Sequence, residues 1–243
     1  MRTLRGGPRC RPLHVLVLAK APVPGRVKTR LCPPCTPMEA AAIAEAALAD
    51  TLAAVAACRA EFKILALDGA TGPWLPPGFE VVAQRGESFD QRLANAWADT
   101  AGATGGWGIQ IGMDTPQVTA GMLDQQLSSL VAPSRSGGRD KGHSRALLGA
   151  AADGGWWMIG LPGSDPCAVF SGVPMSTSST GAAQAQRLVA LGLDVVMAPE
   201  LVDIDDAADL RVVAATIPAS RTAEAARRVL ARIDEPYLTA IGA

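Results

Sequence analysis

Directly behind an apolar, β-branched run, Leu13-His14-Val15-Leu16-Val17-Leu18, the chain reads Lys20-Ala21-Pro22-Val23-Pro24-Gly25-Arg26-Val27-Lys28-Thr29-Arg30-Leu31. The run has the pattern of a buried first strand. Pro22, Pro24 and Gly25 then forbid regular structure, while Lys20, Arg26, Lys28 and Arg30 concentrate positive charge. A helix is expected only from Thr36-Pro37-Met38-Glu39, where Thr36 can cap, Pro37 suits the first helical position and Glu39 completes a capping box. A cationic, conformationally constrained loop therefore follows the carboxyl end of strand one and precedes helix one. In an open α/β sheet that is the crevice where ligands bind, and the anion that best suits such a loop is the phosphate group of a nucleotide.

Composition narrows the classes. A chain of 243 residues with 49% hydrophobic content can bury one substantial core. A net charge of −1 and a pI near 6.1 argue against broad nucleic-acid binding, which needs a basic face. Aromatics at 4% are too scarce for a base-stacking platform. Five cysteines at irregular spacing do not make a disulfide framework. Cys32-Pro33-Pro34-Cys35 precedes the helix start by a turn, and no second pair or spaced histidines complete a zinc site, so these read as plain loop cysteines in a reducing cytoplasm. The apolar stretch before Lys20 is too short for a signal peptide, and residues 1–12 read as a flexible leader. Ala40 to Cys58 is apolar, but Glu45, Asp50 and Thr51 interrupt it, so a buried core helix is expected and no transmembrane segment.

Downstream, strands are expected at Phe62–Asp68, Phe79–Ala83, Trp107–Gly112, Ala146–Ala150, Trp156–Leu161 and Val195–Met197. Between them, helices are expected after a capping box at Ser88–Gln91 (to about Thr100, with Gly102–Gly106 breaking it), after Thr119, after Ser178-Ser179-Thr180, after Asp206 and over 222–233. Pro133–Arg145 reads as a charged, Gly/Ser-rich surface loop. Alternation of strands and helices implies an α/β fold with a mostly parallel, doubly wound sheet and helices on both faces, and the Gly-punctuated strands five and six suggest a mixed edge.

Carboxylates supply the chemistry that the cationic loop lacks. Magnesium and manganese are typically held by one or two protein carboxylates plus substrate phosphates. Asp114 stands just past strand four, with Pro116 preventing further extension; it either ligates such a metal or forms an Asx-turn. Asp203 and Asp205, two apart in an extended segment, face one way and are ligand candidates. Asp206 and Asp209 have the spacing of a helix cap and first-turn acid. Asp153-Gly154-Gly155 is either a simple hairpin turn or a place where the backbone approaches a ligand beside an acid that accepts sugar hydroxyls or acts as a base. Of the adjacent Trp156 and Trp157, one is expected to be buried and one to face the cleft.

Together these residues resemble the nucleotide-diphospho-sugar transferase superfamily with the GT-A fold, and within it the bacterial glycosyltransferase-like family DUF2064. The resemblance spans about Leu13 to Ala215. It rests on Ala19-Lys20-Ala21-Pro22 with Pro24–Leu31, on Gln84-Arg85-Gly86 with Gln91-Arg92-Leu93, and on Gly112–Pro116. It continues through Leu148-Gly149 with Asp153–Trp156, then Ser176-Thr177, then Asp203-Ile204-Asp205 with Asp209-Leu210. The chain departs from the family pattern at Met175, Ala150 and Ala208. The resemblance implies a three-layer αβα GT-A sandwich over 13–216 followed by a helical extension over 217–243. It implies that Lys28 and Arg30 hold a diphosphate, helped by Lys20, Arg26 and Arg92. Asp114 would be a metal ligand, joined by Asp205 and Asp203, for Mg²⁺ or Mn²⁺. Asp153 would be the catalytic carboxylate, and Gly154, Gly155, Trp156, Ser176 and Thr177 would contact substrate.

The function so implied is metal-dependent transfer of a sugar from a nucleoside-diphosphate sugar to a small-molecule or lipid-linked acceptor. One alternative is a nucleotidylyltransferase, guanylyltransferase-like, that attacks the α-phosphate of a nucleoside triphosphate. The loop, with one glycine and two prolines, is unlike the glycine-rich opening of those enzymes. Another alternative is a non-catalytic nucleotide-sugar-binding domain.

Overall fold

The structure, a computed structural model, describes residues 12–132 and 144–241, with side chains to Arg232. The leader expected over 1–12 and the loop expected over 133–145 thus lie almost wholly outside the described residues. In chain order the elements are β1 (His14–Lys20), α1 (Pro37–Ala57), β2 (Phe62–Asp68), β3 (Glu80–Ala83), α2 (Phe89–Thr104), β4 (Trp107–Gly112), α3 (Ala120–Val131), β5 (Arg145–Ala151), β6 (Trp156–Pro162), α4 (Pro166–Phe170), α5 (Thr180–Ala190), β7 (Asp194–Leu201), α6 (Ala207–Thr216) and α7 (Arg221–Ile241).

The strands form one seven-stranded sheet in the order β3-β2-β1-β4-β6-β5-β7. β1 pairs in parallel with both β2 and β4, and β2 with β3. β6 runs antiparallel to β4 and β5, while β5 pairs in parallel with β7. The mixed half is the half expected, but the reversed strand lies third from the edge, because the tight Ala151–Gly155 turn folds β6 inward beside β4.

Every residue of β1 before Lys20 is buried, as a strand covered on both faces requires. Val15, Val17, Ile109 and Ile111 face α1 and α3 through Leu48, Leu52, Leu123 and Leu127. Leu16, Leu18, Ile159 and Leu161 face α2, α4 and α5 through Leu93, Trp97, Phe170 and Leu188. A third cluster joins Leu31, Ala40, Ile43 and Ala47 to Ile204, Leu210, Val213, Ala226 and Val229, packing α1 against α6 and α7. This last cluster fixes the site, because it anchors both the end of the cationic loop and the segment between two aspartates. Burying each Leu or Ile in it contributes roughly 1.5–3 kcal/mol.

α1 is long and apolar enough to span a membrane by length and composition, and half of that apolar window is buried in this molecule. Its capping box forms as expected: Glu39 N donates to Thr36 Oγ1 (3.3 Å) and Thr36 N to Glu39 Oε2 (2.8 Å). The box expected at Ser88 does not form. The Ser88 hydroxyl is captured by Asp90, and Gln91 Oε1 accepts from Glu87 N, one residue early (3.0 Å). α2 also runs past Gly102, ending at Gly105, whose left-handed backbone (φ 62) caps it. α4 was not expected; Asp165 caps it and Pro166 opens it.

His14 is fully buried under α2, with Nδ1 2.9 Å from Thr104 Oγ1 and its ring edge-on to Trp97 at 4.8 Å. Burial lowers its pKa from 6.5 to about 4, so it is held neutral.

Candidate active site

The cationic loop leaves β1 and closes in a 3₁₀ turn over Thr29–Leu31, whose last residue is fully buried. Lys28, just before that turn, adopts a left-handed backbone (φ 47), a conformation costly for a residue with a Cβ and found chiefly where surrounding structure enforces it. The result turns its side chain inward. Lys28 Nζ lies 3.0 Å from Asp114 Oδ2 and 3.7 Å from Asp205 Oδ1, and donates to the Ile204 carbonyl. Arg30 Nη1 donates to Asp205 Oδ2 at 2.6 Å.

The acidic side of the site follows from alternation. Ile204 is fully buried in the third cluster, so its neighbours Asp203 and Asp205 point the opposite way. Main-chain contacts bring this segment to the end of β4: Ile204 N donates to the Asp114 carbonyl (3.0 Å), and Gln117 Nε2 to the Val202 carbonyl (2.6 Å). One oxygen from each of Asp114, Asp203 and Asp205 then lies within 4.8 Å of the others. Asp206 and Asp209 form the reciprocal cap of α6, as their spacing suggested.

Burial, reinforced by Asp114, Asp153 and Asp205, raises the Asp203 carboxyl from 3.8 to about 6. A carboxylate set that repels itself in this way fits a hard divalent cation with oxygen ligands. Asp203 and His14 pull acid stability in opposite directions. His14, depressed in the fold, leaves stability full above pH 6.5 and withdraws it as pH falls toward 4. Asp203, raised in the fold, costs stability above pH 6 and returns it as pH falls toward 3.8. The Asp203→Asn protein is therefore expected to lose about 2 kcal/mol from His14 between about pH 7 and pH 4.5, and the wild type to lose less. Urea unfolding at the two pH values checks this; equal losses would contradict it.

A cavity of about 760 Å³ opens over these groups at the carboxyl ends of β1 and β4. Its walls include Lys20, Arg26, Lys28, Arg30, Arg92, Asp114, Asp153, Asp203 and Asp205, together with Gly155, Trp156, Ser176 and Thr177. Every expected site residue except Gly154 is thus gathered round one space. Gly154 stands behind the wall, its carbonyl accepting from Gly181 N (2.8 Å) at the start of α5. The Asp153 turn is the hairpin turn its sequence offered, and its acid lies on the cavity wall. It closes the β5–β6 hairpin, with Asp153 Oδ1 accepting from Gly155 N (2.7 Å), and it faces the cavity. Trp156 lines the cavity, stacked on Phe170 at 6.2 Å, whereas Trp157 is buried and donates to the Pro199 carbonyl.

Gln84, Phe89, Met175, Ser178 and Thr180, none of them expected as site residues, also line the space. Gln84 ties the sheet's mouth together, its Nε2 donating to the Ala19 and Ala66 carbonyls at 2.7 and 3.0 Å. An amide at the end of a short strand, on the same edge as the cationic loop, was the available signal.

Comparison with solved structures shows the fold. A "putative nucleotide-diphospho-sugar transferase" from Desulfovibrio desulfuricans G20 matches with a TM-score of 0.77 at 24% identity, covering 92% of this chain and 97% of its own. The architecture is the nucleotide-diphospho-sugar transferase fold expected from the motifs. More distant matches include Rv0371c from Mycobacterium tuberculosis H37Rv (TM-score 0.49, 19% identity, covering 83% and 97%). Another is a CMP:2-keto-3-deoxy-manno-octonic acid synthetase complexed with CTP (TM-score 0.49, 12% identity, covering 85% and 98%). A search of curated proteins gave no match. The model of the family described as "Uncharacterized protein conserved in bacteria (DUF2064)" matches residues 39–177, more than half the chain. The site and fold described above are therefore those of a member of the DUF2064 family.

Proposed function

We propose that this cavity binds a nucleoside-diphosphate sugar with Mg²⁺ or Mn²⁺ and transfers the sugar to a hydroxyl of a small-molecule or lipid-linked acceptor, in the cytoplasm. The observation that carries the reading is the juxtaposition of Lys28 and Asp114, 3.0 Å apart, in a space lined by both basic side chains and carboxylates. Asp114, Asp203 and Asp205 would hold the metal, which when bound would offset negative charge developing on the leaving diphosphate. Arg30, Arg26 and Lys20, all exposed at the cavity wall, would take the phosphate oxygens, with Arg92 on the same cavity's lining. Fixed cations aimed where charge develops are usually the largest contribution to such a reaction.

Asp153 would receive the acceptor proton. The Gly155 amide holds one of its oxygens, which fixes the carboxylate's orientation, and the other has no hydrogen-bond partner among the described residues. Trp156 offers an apolar ring face on which a sugar can lie, and Ser176 and Thr177 line the same cavity.

A thermal-shift screen of nucleoside diphosphates and their sugars, with and without Mn²⁺, tests the binding half. A ligand present at a hundred times its Kd stabilises the fold by about 2.7 kcal/mol, so a true ligand is plain to see. The expected result is a shift for one nucleotide sugar that grows with Mn²⁺, followed by release of the nucleoside diphosphate in the presence of acceptor. Preference for a triphosphate with pyrophosphate release would make the protein a nucleotidylyltransferase. Binding without turnover on any acceptor would make it a nucleotide-sugar-binding protein.

A further inference from the structure

Lys28 is unlike the other cations of the cavity. Its side chain is 9% exposed where that of Arg30 is 70% exposed, and from the cavity wall its ammonium reaches Asp114 and Asp205 together. Its ammonium has three donors and three oxygen neighbours: Asp114 Oδ2, the Ile204 carbonyl and Asp205 Oδ1. Two of those oxygens belong to the carboxylates that would ligate a metal. With Arg30 on the second oxygen of Asp205, two of the three carboxylates already have cationic partners.

We propose that Lys28 is the cavity's own counter-ion, seated in the cation position, and that the site therefore takes a divalent metal only together with a diphosphate. This rests on the metal-and-diphosphate reading above and adds an order of events to it. A free dication approaching Asp114 and Asp205 meets an ammonium on the same oxygens. Displacing that ammonium with nothing to receive it would strand a nearly buried charge, which is strongly unfavourable. A diphosphate supplies the missing partner. Lys28 and Arg30 exchange carboxylate oxygens for phosphate oxygens, and the carboxylates are released to the metal. Metal and anion thus raise each other's affinity by the same factor, as linkage demands.

The test uses the metal alone. Calorimetric titration of MnCl₂ into the protein, free of phosphate and nucleotide, compares wild type with Lys28→Met and Lys28→Gln; the second keeps an N–H for the Ile204 carbonyl while removing the charge. Both variants are expected to bind Mn²⁺ at least about tenfold more tightly than wild type, within the usual range of coupling between two sites. Unchanged or weaker binding in a folded variant overturns the proposal and leaves the metal site standing. No binding by any of the three overturns the metal reading with it. Equilibrium dialysis of wild type gives an independent readout: Mn²⁺ and inorganic pyrophosphate are expected to be retained together at concentrations where neither is retained alone. Equal retention of Mn²⁺ alone overturns the proposal.

Discussion

Asp114→Ala is expected to leave the protein folded, to keep its metal-free affinity for nucleotide, and to erase the gain in affinity that Mn²⁺ brings. The fold survives because the main-chain carbonyl of Asp114, not its side chain, holds the Ile204 amide at 3.0 Å. Metal-free binding survives because the substitution removes a negative charge that Lys28 otherwise faces at 3.0 Å, leaving Lys28 freer to meet phosphate. The metal-dependent increment disappears because Asp203 and Asp205 remain as a pair without the carboxylate that completes the cluster. Transfer should fall by about a hundredfold or more, the scale seen when one preorganised stabiliser of transition-state charge is removed. Nucleotide titrations with and without Mn²⁺, with circular dichroism as the folding control, check this. An Asp114→Ala protein whose nucleotide affinity still rises with Mn²⁺ contradicts the metal assignment.

Gly154→Ala should be the most damaging glycine-to-alanine change among the described residues. Gly154 has φ +89, where an L side chain is strained, and a Cβ there would lie 2.1 Å from the Ser178 carbonyl oxygen and 2.7 Å from its carbon. Neither atom can yield, because both belong to the backbone leading into α5, and Gly181 N is bonded to the Gly154 carbonyl at 2.8 Å. The turn must lift off α5, carrying Asp153 and Trp156 away from Ser176 and Thr177. The combined strain and lost contacts should cost at least about 3 kcal/mol, a fall in Tm of about 6–12 °C for a chain of this size. Gly102→Ala is the matched control. It lies in α2 with nothing within 4 Å of the added atom and should stabilise by about 0.4–1 kcal/mol. Urea unfolding of both variants measures the contrast, and similar effects of the two would contradict the packing described here.

The parts of the site that could be read from sequence are those fixed by local chemistry. Prolines, a glycine and four cations define the loop wherever it sits, and the Thr36–Glu39 and Asp206–Asp209 boxes close over three residues. The two-residue spacing of Asp203 and Asp205 announced a shared face, but only the burial of Ile204 decides which face that is. What escaped was competition within a turn, pairing across the sheet and an element too short to be periodic. Ser88 carried the signature of a capping box and lost it to a competing acid at Asp90. The place of β6 beside β4 depends on pairing across the sheet, and α4 is too short for a periodic pattern. Sequence placed Lys28 on the phosphates; its contact with Asp114 needs a backbone in the left-handed region, which no motif for a lysine predicts.

On the function proposed here, a metal–diphosphate unit lies between the cationic loop and the aspartates beyond β4 and β7. Crystals grown with Mn²⁺ and the nucleoside diphosphate selected by thermal shift, examined at a wavelength where manganese scatters anomalously, test it most directly. The expected map shows a manganese peak bonded to Asp114, with both phosphorus atoms between it and Lys28 and Arg30. A manganese peak away from Asp114, or a diphosphate bound outside this cavity, would contradict the account.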